Sequence, residues 1–502
     1  MPRYPAPVVA ATFAKPSSSP VVADGSSSVV FRSAQVLLAL ALMWGAFAFG
    51  AVYAWAFWPL AAIECLIGAS GFVLSLRHRA TPLQLKALPY CFGLFLFAGI
   101  VQLVPVPLSV LATISPDGLS VIRETDFLVA SGRASHHALS IAPPLTALAI
   151  ILFASHAVLL LGCVQLLSVR DARWVARTIS AVGVALALVG LIHGRTFNAN
   201  IYGFWTPSTP GGSSFGPFVN RNHFAGWMLM GLPVALGLLC GELSQAMQRV
   251  KPNWRDRLLW FSSPAANRLV LLAVAVFVMA LSLIWTMSRS GIVALCVAIG
   301  TSAAFALRRQ PKTRWLLTFS SAAAAAIAIV AWVGADQIVS RFTASNWAGF
   351  SGRLGAWSDA IHIAQRFRLV GTGLNTYGVA THIYQEHDLA RHYSQAHNDF
   401  LQLYAEGGWL LTLPAAACLA ALIVAVRRRL LEDTTSESHW LRIGAVTGLM
   451  AIGLQELVDF SLQMPGNAAL FAVLCAIALH HAPIRRTRPA APPRKFPART
   501  SS

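Results

Sequence analysis

Several arginines and one histidine lie beside long apolar stretches, where charged side chains are costly and usually have a function. Arg289 separates two apolar segments with almost no length between them, and Arg221 directly precedes another. Arg353 lies near the start of a polar segment that ends at His397. A guanidinium holds phosphate or carboxylate through two parallel hydrogen bonds, and an imidazole accepts a proton near neutral pH. These residue types suit group transfer from a phosphate or diphosphate leaving group to a hydroxyl.

Polar residues next to these four side chains are candidate substrate-binding residues. They are Asn220, Asn222, His223, Asn398, Asp399 and Glu406. Asp399 and Glu406 are spaced so that they share one face of a helix. Because buried acids in a membrane need a partner, we expect them to orient His397 or to pair with an arginine. The same expectation holds for Glu456 and Asp459 in a later apolar segment.

Structural roles are open for the same residues. The arginines could instead reach outward to lipid headgroups, and His397 could cap or brace the helix that follows it. Metal binding is a further alternative, because His382, His387, His392 and His397 recur at every fifth residue. Metal-binding pairs on a helix favour spacings of three or four, and the chain has no HExxH motif. We therefore expect no metal and no other cofactor.

The elements that must position these residues are helices in a membrane. The chain has 502 residues, of which 56% are hydrophobic and 11% are charged, and its mean hydropathy is +0.61. This composition excludes a soluble globular protein. Stretches of about 20 apolar residues are long enough to cross a bilayer as helices. We predict an all-α polytopic membrane protein with about 12 spans, near 34–52, 54–76, 86–104, 145–168, 174–193, 223–243, 268–287, 290–307, 315–334, 399–426, 442–460 and 467–482.

The net charge of +19 could indicate a nucleic-acid partner, but membrane topology explains it better. With the N-terminus in the cytoplasm, most Lys and Arg residues fall on alternate loops, as the positive-inside rule requires. We therefore expect both termini in the cytoplasm and no nucleic acid.

The predicted organisation has two tails around one membrane domain. Residues 1–33 are expected to be a disordered cytoplasmic tail, 34–482 the transmembrane domain, and 483–502 a basic cytoplasmic tail. Large polar loops at 105–144, 194–222 and 335–398 lie on the opposite side, the last between the ninth and tenth spans. Within that loop we predict a helix over 352–367 and a turn at 371–375. Glu64, in the second span, has no evident partner.

At these residues the sequence resembles the O-antigen ligase and polymerase family of bacterial membrane glycosyltransferases. The resemblance covers roughly residues 200–480. Its motifs are at 216–226, 288–291, 352–357, 396–402 and 406–408, with a weaker likeness at 139–146. Phe400 stands where the family often has tyrosine.

The resemblance implies a GT-C-like helical fold and transfer of a glycan from an undecaprenyl-pyrophosphate carrier to a hydroxyl. The reaction would occur at the periplasmic face of the bacterial inner membrane, without metal and with inversion at the sugar carbon. It implies His397 as general base and Arg289 and Arg353 as ligands of the pyrophosphate, with Arg221 a less secure addition.

The acceptor and the class of activity have alternatives. A growing polysaccharide of the lipopolysaccharide or exopolysaccharide kind, the lipid A core, or a protein hydroxyl would each fit as acceptor. A transporter of polysaccharide or lipid-linked glycan would also suit 12 spans, although no repeat between the two halves is visible. A non-enzymatic scaffold would have no need of arginines at helix ends.

Overall fold

The computed structural model describes residues 25–78, 87–169, 172–196, 200–207, 213–248, 262–307, 348–432 and 436–480, with a few isolated positions between 250 and 260. The helices in these residues, numbered here in chain order, are α1 Gly25–Phe47, α2 Ala54–His78, α3 Ala87–Val101, α4 Leu108–Ile114, α5 Pro116–Thr125, α6 Phe127–Ala130, α7 Pro143–Val169, α8 Arg173–Thr196, α9 Arg221–Gln248, α10 Pro264–Trp285, α11 Arg289–Leu307, α12 Ala348–Arg366, α13 Tyr377–Tyr384, α14 Asp399–Glu432, α15 Ser436–Gln455 and α16 Pro465–Leu479. Short 3-10 helices lie at Phe49–Ala51 and Ser461–Gln463.

The helices agree with a multi-pass membrane protein. Seven of them, in the described residues, are long and apolar enough to cross a bilayer, and three shorter apolar helices accompany them. All but one of the predicted spans coincide with a helix. The exception, 315–334, lies outside the described residues, as does the first part of the predicted loop at 335–398. The match of helices supports a polytopic membrane fold.

The amino-terminal prediction needs one correction. We expected a tail through residue 33, but α1 already begins at Gly25. The ring of Phe31 is buried and packs edge-on against Trp174, with centroids 6.2 Å apart, so the packing against α8 extends the helix. The remainder of this predicted tail and all of 483–502 lie outside the described residues.

Helix α9 forms the centre of the bundle. Its apolar window is 83% buried, whereas the windows of the other long apolar helices are 17% to 50% buried. It packs against α8, α10, α11 and α15. A Cβ on Gly237 would lie 2.6 Å from the Trp440 carbonyl oxygen and 3.1 Å from the Cα of Gly444, so small residues let α9 and α15 approach closely. This packing fixes the first turn of α9, which carries candidate site residues.

A polar cap covers one end of the bundle. It contains α4 to α6, α12, α13 and a two-stranded antiparallel ribbon, in which β1 (Pro105–Pro107) pairs with β2 (His136–Ala138). The ribbon is a small departure from the all-α prediction, and its cause is local: two prolines in three residues favour an extended backbone. A buried apolar cluster joins the two predicted loops, with Val121 and Ile141 from the first and Ile363, Phe367 and Tyr377 from the second.

The cap is attached to α14 through the predicted turn at 371–375. Gly371 and Gly373 have φ of +70° and +111°, as the turn prediction requires. Glu406 accepts hydrogen bonds from the backbone N–H groups of Asn375 (2.7 Å) and Tyr377 (3.0 Å). Helix α14 is interrupted at Gly408, where φ is +53°, and the next two N–H groups donate to carbonyls of the cap at 368 and 369. The sequence around Glu406 therefore connects the cap to the bundle.

Within the bundle, the structure supplies a partner for Glu64. Its carboxylate is fully buried between α2 and α7, and His156 Nδ1 lies 3.0 Å from it. This pair is a buried intramembrane contact away from the cap.

Candidate functional site

Hydrogen bonds to the backbone at Ala396 and His397, rather than to the imidazole ring, fix the position of His397. Its φ is +52°, the left-handed conformation that non-glycine residues seldom adopt. Trp357 Nε1 donates to its carbonyl oxygen (3.2 Å), and Gln402 Oε1 accepts from the N–H of Ala396 (3.0 Å). Asn398 caps α14 by accepting from two N–H groups of its first turn, at 3.1 and 3.0 Å. The motif at 396–402 thus places the imidazole at the entrance of α14.

The imidazole of His397 is nearly enclosed. Its ring lies edge-on against Phe460, with centroids 4.8 Å apart. Nδ1 is buried, and none of the described residues makes a hydrogen bond to it. Burial, and then the nearby Arg353 guanidinium, lower the pKa of His397 to about 4. The ring is therefore neutral at pH 7 and able to accept a proton.

Arg353 is held by a buried acid. Its Nη2 lies 3.4 Å from Oδ2 of Asp459, whose side chain is fully buried while that of Arg353 is 25% exposed. Asn222, in the first turn of α9, also hydrogen bonds to Asp459. The expectation that one of the acids near residue 456 pairs with an arginine is confirmed. One carboxylate therefore connects α9, α12 and the end of α15.

Arg353 and His397 line the same cavity. This cavity, called here the inner cavity, has a volume of about 330 Å³. Its lining residues are Arg353, Arg391, His392, Tyr393, Ser394, Gln395, His397 and Phe460. Two guanidinium groups and one neutral imidazole make it suitable for an anionic group beside a hydroxyl that loses its proton.

The first turn of α9 flanks the inner cavity. The ring of His223 is buried and lies 4.8 Å from that of Phe460, on which His397 also packs. The Asn222 carbonyl accepts from Gln455 (3.1 Å) and Ser461 (3.3 Å). Asn220 accepts from the N–H of Asn222 (2.9 Å) and so caps the helix. The half-buried Arg221 lies between these two residues, and its N–H donates to the Ser213 carbonyl.

Arg289 begins α11 at the same end of the bundle. A tight turn precedes it, with Met287 at φ +53° and Ser288 N–H donating to Thr286 Oγ1 (3.1 Å). A Cβ on Gly291 would lie 3.2 Å from that of Ala225, so this end of α11 is pressed against α9. Arg289 is half-buried and does not line the inner cavity. The structure therefore places Arg289 near the start of α9 and outside the inner cavity.

The two candidate acids on α14, Asp399 and Glu406, accept hydrogen bonds from residues outside the inner cavity. Asp399 accepts from Gln463 (2.7 Å) and shares a carboxyl–carboxyl contact with Glu456. Glu406 binds the turn at 371–375 and accepts from Gln402 (3.1 Å). Neither lines the inner cavity, and Asn398 is a helix cap. These residues support the site from outside the cavity.

Other residues of the inner cavity were not singled out from the sequence. Tyr393, Phe460 and Arg391 contribute its walls. No local spacing signals these contacts, since Phe460 reaches His397 from a distant part of the chain. Within the described residues, no group of three or more His, Cys, Asp or Glu side chains is placed to hold a metal ion.

The helices and the capped polar cavity define a multi-pass membrane protein with a polar site at one end of its bundle. Residues 274–416 match the family model described as O-antigen ligase. This stretch includes Arg289, Arg353, His397 and Glu406, and the match confirms the resemblance to the O-antigen ligase and polymerase family that the sequence shows. No curated protein matches the chain.

Proposed function

We propose that the protein is a membrane glycosyltransferase that moves a glycan from an undecaprenyl-pyrophosphate carrier to a hydroxyl acceptor. The reaction takes place at the periplasmic face of the bacterial inner membrane, with both termini in the cytoplasm. The observation that carries this proposal is the meeting of Arg353 with the neutral imidazole of His397 in one cavity. The O-antigen ligase match over 274–416 supports the same class of enzyme.

The arginines act on the leaving group. As the bond between the sugar and the diphosphate breaks, negative charge grows on the departing oxygen, and a preorganised guanidinium stabilises it. Asp459 holds Arg353 in place, so little reorganisation is needed during the reaction. We expect Arg289 and Arg221, which begin α11 and α9, to contact the rest of the diphosphate.

His397 acts on the acceptor. Its imidazole takes the proton from the acceptor hydroxyl, the oxygen forms a bond to the anomeric carbon, and the diphosphate leaves from the opposite face with the electron pair. Attack from the face opposite the leaving group inverts the configuration at that carbon. His397 lines the inner cavity, where the acceptor hydroxyl would meet its ring.

The acceptor is a growing polysaccharide, the lipid A core or a protein Ser or Thr side chain. Each presents a hydroxyl from which His397 can take the proton.

A reconstituted assay tests the proposal. Purified protein in liposomes is given an undecaprenyl-pyrophosphate-linked glycan and each candidate acceptor in turn. We expect a covalent product with inverted anomeric configuration by NMR, formed equally well in EDTA. Movement of the glycan across the bilayer without a covalent product would instead establish a transporter, and inhibition by EDTA would contradict the metal-free mechanism.

A further inference from the structure

A second depression adjoins the inner cavity and shares Arg391 with it. This depression, called here the side groove, has a volume of about 720 Å³, within the usual range of roughly 300–1,000 Å³ for small-molecule sites. It is lined by Gly352, Leu354, Gly355, His387, Asp388, Ala390 and Arg391. The proposed reaction does not use it.

Two glycines on α12 allow the side groove to form beside Arg353. A Cβ on Gly355 would lie 2.8 Å from the Cβ of His387, and one on Gly352 would meet the Tyr393 hydroxyl. Side chains at these positions would push the segment 387–393 away from the helix. The glycines on either side of Arg353 therefore bring a polar segment close to the reacting groups.

A buried carboxylate orients His387 in the side groove. His387 Nδ1 lies 2.7 Å from Oδ1 of Asp359, whose residue is 1% exposed. The same carboxylate accepts from the N–H groups of Glu386 (3.2 Å) and His387 (3.4 Å). With Nδ1 committed to Asp359, Nε2 is the ring nitrogen available to a ligand, and the side chain is 48% exposed.

The rest of the groove wall is an ordered turn. Gln385 Nε2 donates to the carbonyls of His387 (2.9 Å) and Arg391 (2.6 Å), and Tyr393 donates to Asp388 Oδ2 (2.8 Å). The turn presents an imidazole, a carboxylate and a guanidinium within a few residues. Closely spaced donors and acceptors of this kind match the hydroxyl groups of a sugar, each of which both donates and accepts.

We propose that the side groove binds the sugar units of a glycan acceptor that adjoin its reacting hydroxyl. This inference rests on the proposed function. In the proposed reaction the donor's lipid carrier stays in the membrane, and its diphosphate meets Arg353, which Asp459 connects to Asn222 on α9. The side groove lies along α12, with Leu354 48% exposed at its edge, and meets the inner cavity at Arg391. The end of a glycan bound in the side groove therefore reaches His397 in the inner cavity.

Filling the groove tests the proposal. In the reconstituted assay, with the acceptor glycan that gives the highest wild-type rate, Leu354→Trp should raise the KM for that acceptor by about tenfold while the donor KM stays within about twofold. Leu369→Trp is the matched control, because Leu369 is 58% exposed and lines neither cavity. It should behave as wild type.

His387→Gln provides a second variant that leaves the groove open and should raise the acceptor KM by about fivefold. Unchanged acceptor KM in both variants, with active wild type, would overturn the proposal. A rise in the donor KM alone would also overturn it and would assign the groove to the donor glycan. Absence of transfer by the wild type with every acceptor would instead overturn the proposed function, and this inference with it.

Discussion

Two histidines ten residues apart show how the surroundings divide one residue type between two roles. His397 is nearly enclosed against Phe460, and its buried Nδ1 receives no hydrogen bond from the described residues. His387 is half exposed, and Asp359 accepts from its Nδ1. Burial lowers the pKa of His397 to about 4, whereas the hydrogen bond to Asp359 raises the pKa of His387. Opposite shifts of this kind commonly separate acid, base and binding roles.

Burial suits His397 to act as the base, whereas the hydrogen bond to Asp359 suits His387 to bind a ligand. The imidazole of His397 is unprotonated at pH 7, because its protonated form is unfavourable beside a guanidinium in a buried site. An anchored, exposed imidazole is better suited to hold a ligand in one orientation.

The largest expected effect separates the two histidines directly. His397→Ala should lower the transfer rate by a factor on the order of 10² to 10⁴, the usual contribution of a general base. His387→Ala should leave the rate at saturating acceptor within a few fold. The rates are measured in liposomes at equal protein abundance. Comparable losses in both variants would remove the distinction drawn here.

The next effect concerns the guanidinium beside the base. Arg353→Lys and Arg289→Lys should each reduce transfer by about 10² fold, because an ammonium cannot make two parallel hydrogen bonds to a diphosphate. Arg366→Lys is the control for Arg353. Arg366 ends the same helix and pairs with Asp117 at 3.0 Å on the surface of the cap. If the Arg353 variant were as active as this control, Arg353 would have no part in holding the leaving group.

The pH profile gives a smaller and more specific effect. Transfer should fall as the pH drops through about 4, where the His397 imidazole becomes protonated, and should show no such loss between pH 5 and 7 from this group. Because the Arg353 charge contributes to the lowered pKa, Arg353→Gln should move the titration of His397 to higher pH. NMR of protein with isotope-labelled histidine measures the pKa of His397 directly and needs no activity assay. A titration that stays in place in the variant would show that the two groups do not interact.

The smallest effect concerns support from outside the cavity. Glu406→Gln should destabilise the protein by about 1–3 kcal/mol, because one of the backbone N–H groups at 375 and 377 loses its charged acceptor. Thermal unfolding in detergent measures the change. Glu124→Gln, at an exposed acid on α5, is the control and should leave the midpoint unchanged. Equal midpoints for the two variants would remove the bracing role of Glu406.

The sequence predicted most of this arrangement where the signal is local. Apolar length located the helices, and the spacing around Arg353 predicted α12, which spans Ala348–Arg366. Positive-φ glycines at 371 and 373 follow from the predicted turn.

Other features depend on contacts that no local pattern encodes. Asp459 was one of several acids that could meet an arginine, and only the packing of α9, α12 and α15 selects it. Asp399 and Glu406 share a helix face as predicted, yet their hydrogen bonds go to different parts of the cap. The pairing of His387 with Asp359 needs two glycines on α12, which composition alone does not reveal.

The most direct test of the central claim is a single-turnover measurement with saturating acceptor and an undecaprenyl-pyrophosphate-linked glycan in liposomes. His397→Ala and His387→Ala are compared with the wild type for the rate at which the glycan becomes bonded to the acceptor. The expected result is loss of bond formation in the His397 variant and a near-normal rate in the His387 variant. A normal rate in the His397 variant would contradict the account.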